Sequence, residues 1–260
     1  MARPAGSAEA PEILYGLHAV REALKAGNRP LQRVLVIRTD KQFTDLVQLA
    51  RSRRVPIHVQ PLTFFDRLVP TGKHQGVAAF TSAKAYQSEE SILARAAQRH
   101  EAPLLVVLDG VEDPHNLGAV LRTAEGAGAH GVLIPERRAA GLTSVVAKAS
   151  AGAIDHIPVA RVTNISRSIE SLKSAGVWIY GVTPSANTVF TDIDLREPVG
   201  LVLGGEGTGI RPSVLQHCDD CVRIPLRGRI QSLNVSAAAA IVLFEAVRQR
   251  HPTGPDSTES

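Results

Sequence analysis

The chain has 260 residues, 44% of them apolar, and 29 Lys and Arg against 25 Asp and Glu give a net charge of +4. That length builds one large domain or two small ones with adequate cores. No apolar run approaches the ~20 residues of a membrane helix, and the N-terminus lacks the apolar stretch of a signal peptide, so a cytoplasmic protein is expected. The charge is uneven: residues 1–100 carry +7 and residues 101–260 carry −3, which points to a polyanionic partner such as RNA or DNA.

Residues 1–11, rich in Ala, Pro, Gly and Ser, are expected to be a disordered tail. A helix is predicted over 16–25, with Leu17, Val20 and Leu24 on one face and Gly27-Asn28 as its stop. The apolar run 34–37 predicts a buried strand, 43–53 a helix, 57–59 a short strand, 62–68 a short helix and 76–80 another strand. This alternation makes a small α/β domain over 12–83. Residues 84–101 read as a linker that ends in a helix over 89–100.

A second α/β domain is predicted over 102–250. Its strands are 104–108, 132–134, 177–182, 201–203 and 222–224. Its helices are 117–127, with Asn116 as a possible N-cap, then 142–150, 165–174 and 235–248. Residues 251–260 form a second tail. Two apolar runs, ending near Leu203 and near Ile224, each open into a loop of glycine or small polar residues. An α/β protein builds a ligand cleft in this way at the carboxyl ends of its strands.

Some motifs exclude chemistry. Gly126-Ala-Gly-Ala-His-Gly131 matches a dinucleotide fingerprint, but it ends a helix and enters a strand, so it is a helix stop and a dehydrogenase is disfavoured. No phosphate-binding G-x-x-x-x-G-K-[ST] occurs. Cys218 and Cys221 are the only cysteines, so no zinc site of four such ligands forms, and Asp219 and Asp220 between them raise their thiol pKa values. No metal is expected.

Others invite it. Asp113, His115, Asn116 and Arg122 gather around one strand-to-helix junction. Arg122 either holds a phosphodiester or pairs with Glu125 or Glu206. His115 alone reads as a polar loop residue. Gly204 to Gly209 either brings a ligand close to backbone groups or is a flexible turn, and Glu206 within it repels polyphosphate and tolerates a cation. Ser232-Leu-Asn234 is good helix-capping chemistry and is compatible with a ligand site.

Three stretches together resemble the motifs of the SpoU (TrmH-like) branch of the SPOUT RNA 2′-O-ribose methyltransferases. They are Asp113-Pro-His-Asn-Leu-Gly-Ala-Val-Leu-Arg-Thr-Ala124, Leu201-Val-Leu-Gly-Gly-Glu-Gly-Thr-Gly-Ile210 and Ile224-Pro-Leu-Arg-Gly-Arg-Ile-Gln-Ser-Leu-Asn-Val-Ser-Ala237. Tyr15-Gly-Leu-His-Ala-Val-Arg-Glu-Ala-Leu24 and His74-Gln-Gly-Val77 resemble the small substrate-binding domain of many members. The similarity is greatest to bacterial enzymes that methylate a guanosine ribose in 23S ribosomal RNA; a tRNA loop or an antibiotic-site rRNA nucleotide are alternative targets, and a non-catalytic RNA-binding protein is the alternative of another class.

The resemblance implies a C-terminal trefoil-knotted α/β methyltransferase domain, a homodimer, and S-adenosylmethionine as cofactor. It places catalytic roles on Asn116, Arg122, Glu206, Ser232 and Asn234, and cofactor binding on Leu203, Gly204, Gly205, Ile224, Leu226, Leu233 and Asn234. Arg51, Arg53 and Arg54 of the first domain, with Arg227 and Arg229 of the third motif, are the candidate RNA contacts. Because guanidinium stays protonated, Arg122 is expected to clamp a phosphate rather than to accept the hydroxyl proton.

Overall fold

The computed structural model describes residues 12–39 and 41–251. Of the two expected tails, only His251 falls among them; 1–11 and 252–260 lie outside the described residues. The chain divides into two compact units, residues 12–85 with 142–156, and residues 86–141 with 157–251.

The first unit begins with β1 (Glu12–Tyr15), α1 (Leu17–Ala26), β2 (Leu31–Val36), α2 (Thr44–Ser52), β3 (Ile57–Val59), α3 (Leu62–Leu68) and β4 (Val77–Thr81). Strand β1 adds to the expected elements; the run Ile13-Leu14-Tyr15 forms it, pairing antiparallel with β4. The sheet order is β1-β4-β2-β3, and Val77, Ala78 and Ala79 of the central β4 are fully buried. His74-Gln75-Gly76 locks the entry to β4. The His74 ring stacks on Phe65 at 5.3 Å and its Nδ1 accepts from Gly76 N at 3.0 Å. Gln75 Oε1 accepts from Leu17 N at 3.1 Å, supplying the start of α1 with a partner.

The second unit runs through α4 (Glu89–Arg99), β5 (Leu104–Asp109), α5 (Pro114–Gly126) and β6 (Gly131–Pro135). Of the expected linker 84–101, residues 89–99 form the expected helix, α4, which belongs to the second unit. Ser88 caps α4, accepting from Ser91 N at 3.2 Å, and Ile92 is buried in the same cluster as Leu105, Val107 and Leu133. Helix α5 starts at Pro114, three residues before its expected start, because Asp113 is the cap, accepting from His115 N at 2.9 Å. Asn116 is therefore a helical residue whose amide is free for other partners.

The next helix, α6 (Ser144–Ala149), was expected in the second domain but packs in the first unit, against β1 and α1. Ile154 is fully buried there, and Arg29 Nη2 meets Asp155 Oδ2 at 2.8 Å with both side chains buried. Gly152, at φ +92°, makes the approach possible, since a Cβ there would lie 2.5 Å from Glu22 Cβ.

The chain then completes the second unit with β7 (Val159–Val162), α7 (Ile165–Ser174), β8 (Trp178–Val182), β9 (Thr188–Val189), β10 (Val199–Gly204), α8 (Pro212–Leu215), β11 (Asp220–Arg223) and α9 (Val235–Arg250). Strands β7 and β9 and helix α8 are further additions. All pairings are parallel, in the order β7-β6-β5-β10-β8-β11-β9. Strands β5 and β6 are buried throughout, as expected of a parallel sheet covered on both faces. Helix α9 extends past Arg248 because Arg250 donates to the carbonyls of Ala102, Pro103, Leu195 and Glu197.

From β5 the chain winds outward through β6 to β7, then returns to build the other half of the sheet. The winding direction reverses between β5 and β10. A crevice opens at the carboxyl ends of strands at such a point, and it is where open α/β sheets bind ligands.

Candidate active site

A cleft of about 720 Å³ lies at those carboxyl ends, within the second unit. The loop after β10 supplies one wall with Gly204, Gly205 and Glu206. The segment from β11 to α9 supplies another with Ile224, Leu226, Ser232, Leu233 and Asn234, and Leu203 completes the expected lining. The end of β8, Val182 to Ser185, and Gln231 also line it, and sequence reasoning gave these no role. Their signal was position: a strand end followed by Thr-Pro-Ser is one more carboxyl-end loop.

The glycines of β10 and its loop are there for close packing. A Cβ on Gly204 would lie 2.0 Å from Gly209 C, and one on Gly205 would lie 1.9 Å from Gly110 O. The chain folds back so tightly that Gly209 N donates to Gly205 O at 3.0 Å. This loop is thus a closed turn folded back on the end of β10.

One side chain from each of the three motifs meets at the rim. Asn116 Nδ2 donates to Glu206 Oε1 at 2.8 Å, and Asn234 Nδ2 donates to the same oxygen at 2.5 Å. Asn234 Nδ2 also lies 3.0 Å from Asn116 Oδ1. The Asn234 Oδ1 atom caps α9, accepting from Ser236 N at 2.8 Å. Asn234 therefore does two jobs: it starts the last helix and ties it to α5 and to the glycine loop. Glu206 joins two amides, so its charge strengthens both bonds.

Arg122 stands apart. It is exposed on α5, does not line the cleft, and among the described residues pairs with neither Glu125 nor Glu206. The exposed residues one turn further along α5 are Glu125 and Gly126. Arg227 and Arg229 are exposed in the loop before α9. In the first unit Arg51, Arg53 and Arg54 are all exposed, and Arg53 Nη2 also donates to Lys25 O at 2.7 Å, closing the end of α1.

Among the lining residues Glu206 alone carries a charge, and none is cationic. Leu203, Ile224, Leu226 and Leu233 give aliphatic surface that suits a flat apolar ring. The cleft thus fits a ligand that joins such a ring to a positive charge and does not fit a polyphosphate. The cysteines are free, and burial first, then Cys221 and Asp219, pushes the Cys218 thiol up to about 12, so it is no nucleophile at neutral pH.

Comparisons with known proteins identify the family. The profile described as RNA 2′-O ribose methyltransferase substrate binding matches residues 13–87. A Bacillus subtilis (strain 168) protein, YacO, named for the TrmH family of tRNA/rRNA methyltransferases, is 41% identical over 244 residues, 94% of this chain and 98% of its own. Among solved structures, the SpoU methyltransferase AviRb from Streptomyces viridochromogenes in complex with AdoMet superposes with a TM-score of 0.78 at 26% identity, covering 93% of this chain and 91% of that one. An AdoMet-bound rRNA methyltransferase from Sinorhizobium meliloti gives 0.77 at 26% identity, over 94% and 89%. The profile of the SpoU rRNA Methylase family matches residues 103–244, the strands, cleft and last helix just described, and the chain belongs to that family of RNA methyltransferases.

Proposed function

We propose that the protein transfers a methyl group from S-adenosylmethionine to the 2′-hydroxyl of a guanosine ribose in 23S ribosomal RNA, in the cytoplasm. The observation that carries this reading is the cleft whose one charged lining residue is Glu206, held by Asn116 and Asn234. A lone carboxylate matches the positive charge of the cofactor, and the relatives with AdoMet bound support the assignment. When bound, S-adenosylmethionine supplies an electrophilic methyl group on its sulfonium. Leu203, Gly204, Gly205, Ile224, Leu226, Leu233 and Asn234 would hold it.

The remaining tasks fall to the chain itself. A neutral hydroxyl is a weak nucleophile, so it must be aligned and must lose its proton during attack. Asn116 and Ser232 orient the hydroxyl or the loop beside it. Arg122 clamps the neighbouring phosphate through its planar fork, and the proton leaves to that phosphate or to water. The exposure of Arg122, which makes no ion pair among the described residues, supports a role toward RNA. Arg51, Arg54, Arg227 and Arg229 add phosphate contacts that position the RNA without specifying it.

The working form is a homodimer with a knotted C-terminal domain. The exposed stripe of α9, with Ile241 37% and Phe244 51% exposed, supports burial against a second copy. A ribosomal target is favoured over transfer RNA by the rRNA methyltransferase similar over 94% of the chain, including the first unit.

The test is methyl transfer from labelled S-adenosylmethionine to ribosomal RNA and transfer RNA from a strain lacking the endogenous enzyme. Label in 23S RNA at a ribose, mapped by resistance to alkaline cleavage, is expected. Label in transfer RNA alone would keep the chemistry and overturn the substrate.

A further inference from the structure

Asp109 ends strand β5 and is 1% exposed, and the three-motif resemblance gives it no role. Its backbone carbonyl accepts from Gly205 N at 2.8 Å. Its carboxylate reaches the other end of the same loop: Oδ2 accepts from Arg211 N at 2.9 Å, and Oδ1 accepts from Arg211 Nε at 2.8 Å and Nη2 at 2.7 Å. One buried residue therefore fastens both ends of the turn 205–211. Within that turn Gly209 N bonds Gly205 O, and Glu206 presents its carboxylate to Asn116 and Asn234.

Neither Asp109 nor Arg211 lines the cleft; Gly204, Gly205, Glu206, Gly207, Thr208 and Gly209 do. A buried carboxylate is costly unless its oxygens are filled, and an apolar residue would close the sheet end more cheaply. What a carboxylate adds here is direction. It fixes the backbone N–H and the guanidinium of Arg211, and with them the exit of the loop, at set distances from its entry. A seven-residue turn with three glycines would otherwise sample many conformations.

We infer that Asp109 and Arg211 are positioning residues that hold the glycine loop in its ligand-binding shape before the ligand arrives, and so set the affinity for S-adenosylmethionine and not the rate of the chemical step. The inference rests on the cofactor reading above. Preorganising a loop raises affinity by removing an ordering cost that would otherwise be met on binding.

The experiment uses the full chain and three readouts: calorimetric affinity for S-adenosylmethionine, amide exchange of Gly205, Gly209 and Arg211 without ligand, and steady-state kinetics. Arg211→Leu removes both guanidinium donors but keeps the backbone bond to Oδ2, and Arg211→Lys restores one donor. For Arg211→Leu the dissociation constant should rise about tenfold or more, as expected for losing a charge-assisted pair. The loop amides should exchange faster, and kcat at saturating cofactor should stay within about threefold, a difference too small to be a lost transition-state contact. Arg211→Lys should fall between, and it serves as the test if the leucine variant does not fold. Variants that bind as tightly as wild type while melting at lower temperature would overturn the inference and leave a structural role only. So would a fall in kcat at unchanged affinity. A wild type that does not bind S-adenosylmethionine would instead overturn the reading of the cleft, and this inference with it.

Discussion

Glu206→Gln keeps the shape of the rim and removes one charge. The carboxylate oxygen Oε1 accepts two amide bonds, 2.8 Å from Asn116 and 2.5 Å from Asn234. A glutamine oxygen can still accept both, so what is lost is charge assistance. Bonds to a charged group contribute roughly 1.5–3 kcal/mol and neutral ones roughly 0.5–1.5, a difference of about 1 kcal/mol per bond. Glu206 and Asn234 are exposed while Asn116 is buried, so water competes for one bond more than for the other. The expected total is about 1–2 kcal/mol, which is ~5- to 30-fold in kcat/KM for methyl transfer. Glu206→Ala should cost more, because the buried Asn116 amide is then left with no acceptor. The assay is a double-mutant cycle with Asn116→Ala, read as kcat/KM and as cofactor affinity. The second substitution should cost less in the Glu206→Gln background, since both act on one network. Strict additivity, or a Glu206→Gln enzyme within twofold of wild type, would refute the reasoning.

Three further outcomes are expected. Arg122→Lys keeps the charge but loses the fork, so activity on RNA should fall sharply while cofactor affinity holds; near-wild-type turnover would count against the phosphate clamp. Asp155→Ala strips the buried Arg29 of its 2.8 Å partner and Lys84 of one at 3.8 Å, and among the described residues leaves Arg29 with Glu12 at 4.0 Å, so denaturant unfolding should show a loss of about 3 kcal/mol. A loss below ~1 kcal/mol would show that solvent reaches the pair. His130 is 1% exposed; its Nδ1 accepts from Leu104 N at 3.0 Å, and burial holds its pKa below the usual histidine value despite the pull of Glu101. The unfolded chain therefore takes up a proton that the folded chain resists, and stability should fall as pH drops below ~6.5 toward the depressed folded value. In His130→Asn, melting temperature should lose part of its slope over that window; an unchanged slope would remove His130 as its source.

The sequence alone marked the loops that line the cleft, because each combines residue types whose backbone demands are local. Gly204 and Gly205 followed by an isolated Glu206, and Asn234 before a long alanine-rich helix, announce a tight turn and a cap in any fold. Periodicity was also enough for the helices at 165–174 and 235–248 and for the buried strands β5, β6 and β10, whose apolar runs are long or regular. The short elements were not legible: β9 has two residues and α8 four, so neither completes a period, and pairing with β11 alone makes β9 a strand.

Only the tertiary structure decided which pieces belong together. Residues 142–150 read as one more helix of the second domain, yet residues 142–156 belong to the first unit, where Asp155 finds Arg29, 126 positions earlier, and Gly152 admits Glu22. The expected linker 84–101 carries Ile92 into the second unit's core. Asn116, Glu206 and Asn234 are separated by up to 118 positions, and nothing local makes them neighbours; the return of the chain to place β10 beside β5 does. Asp109 and Arg211 went unremarked for the same reason. A lone aspartate at a strand end and a lone arginine before a proline are ordinary in sequence. They acquire meaning when a parallel pairing sets Gly204 level with Asp109, so that one carboxylate can reach both the entry and the exit of the loop.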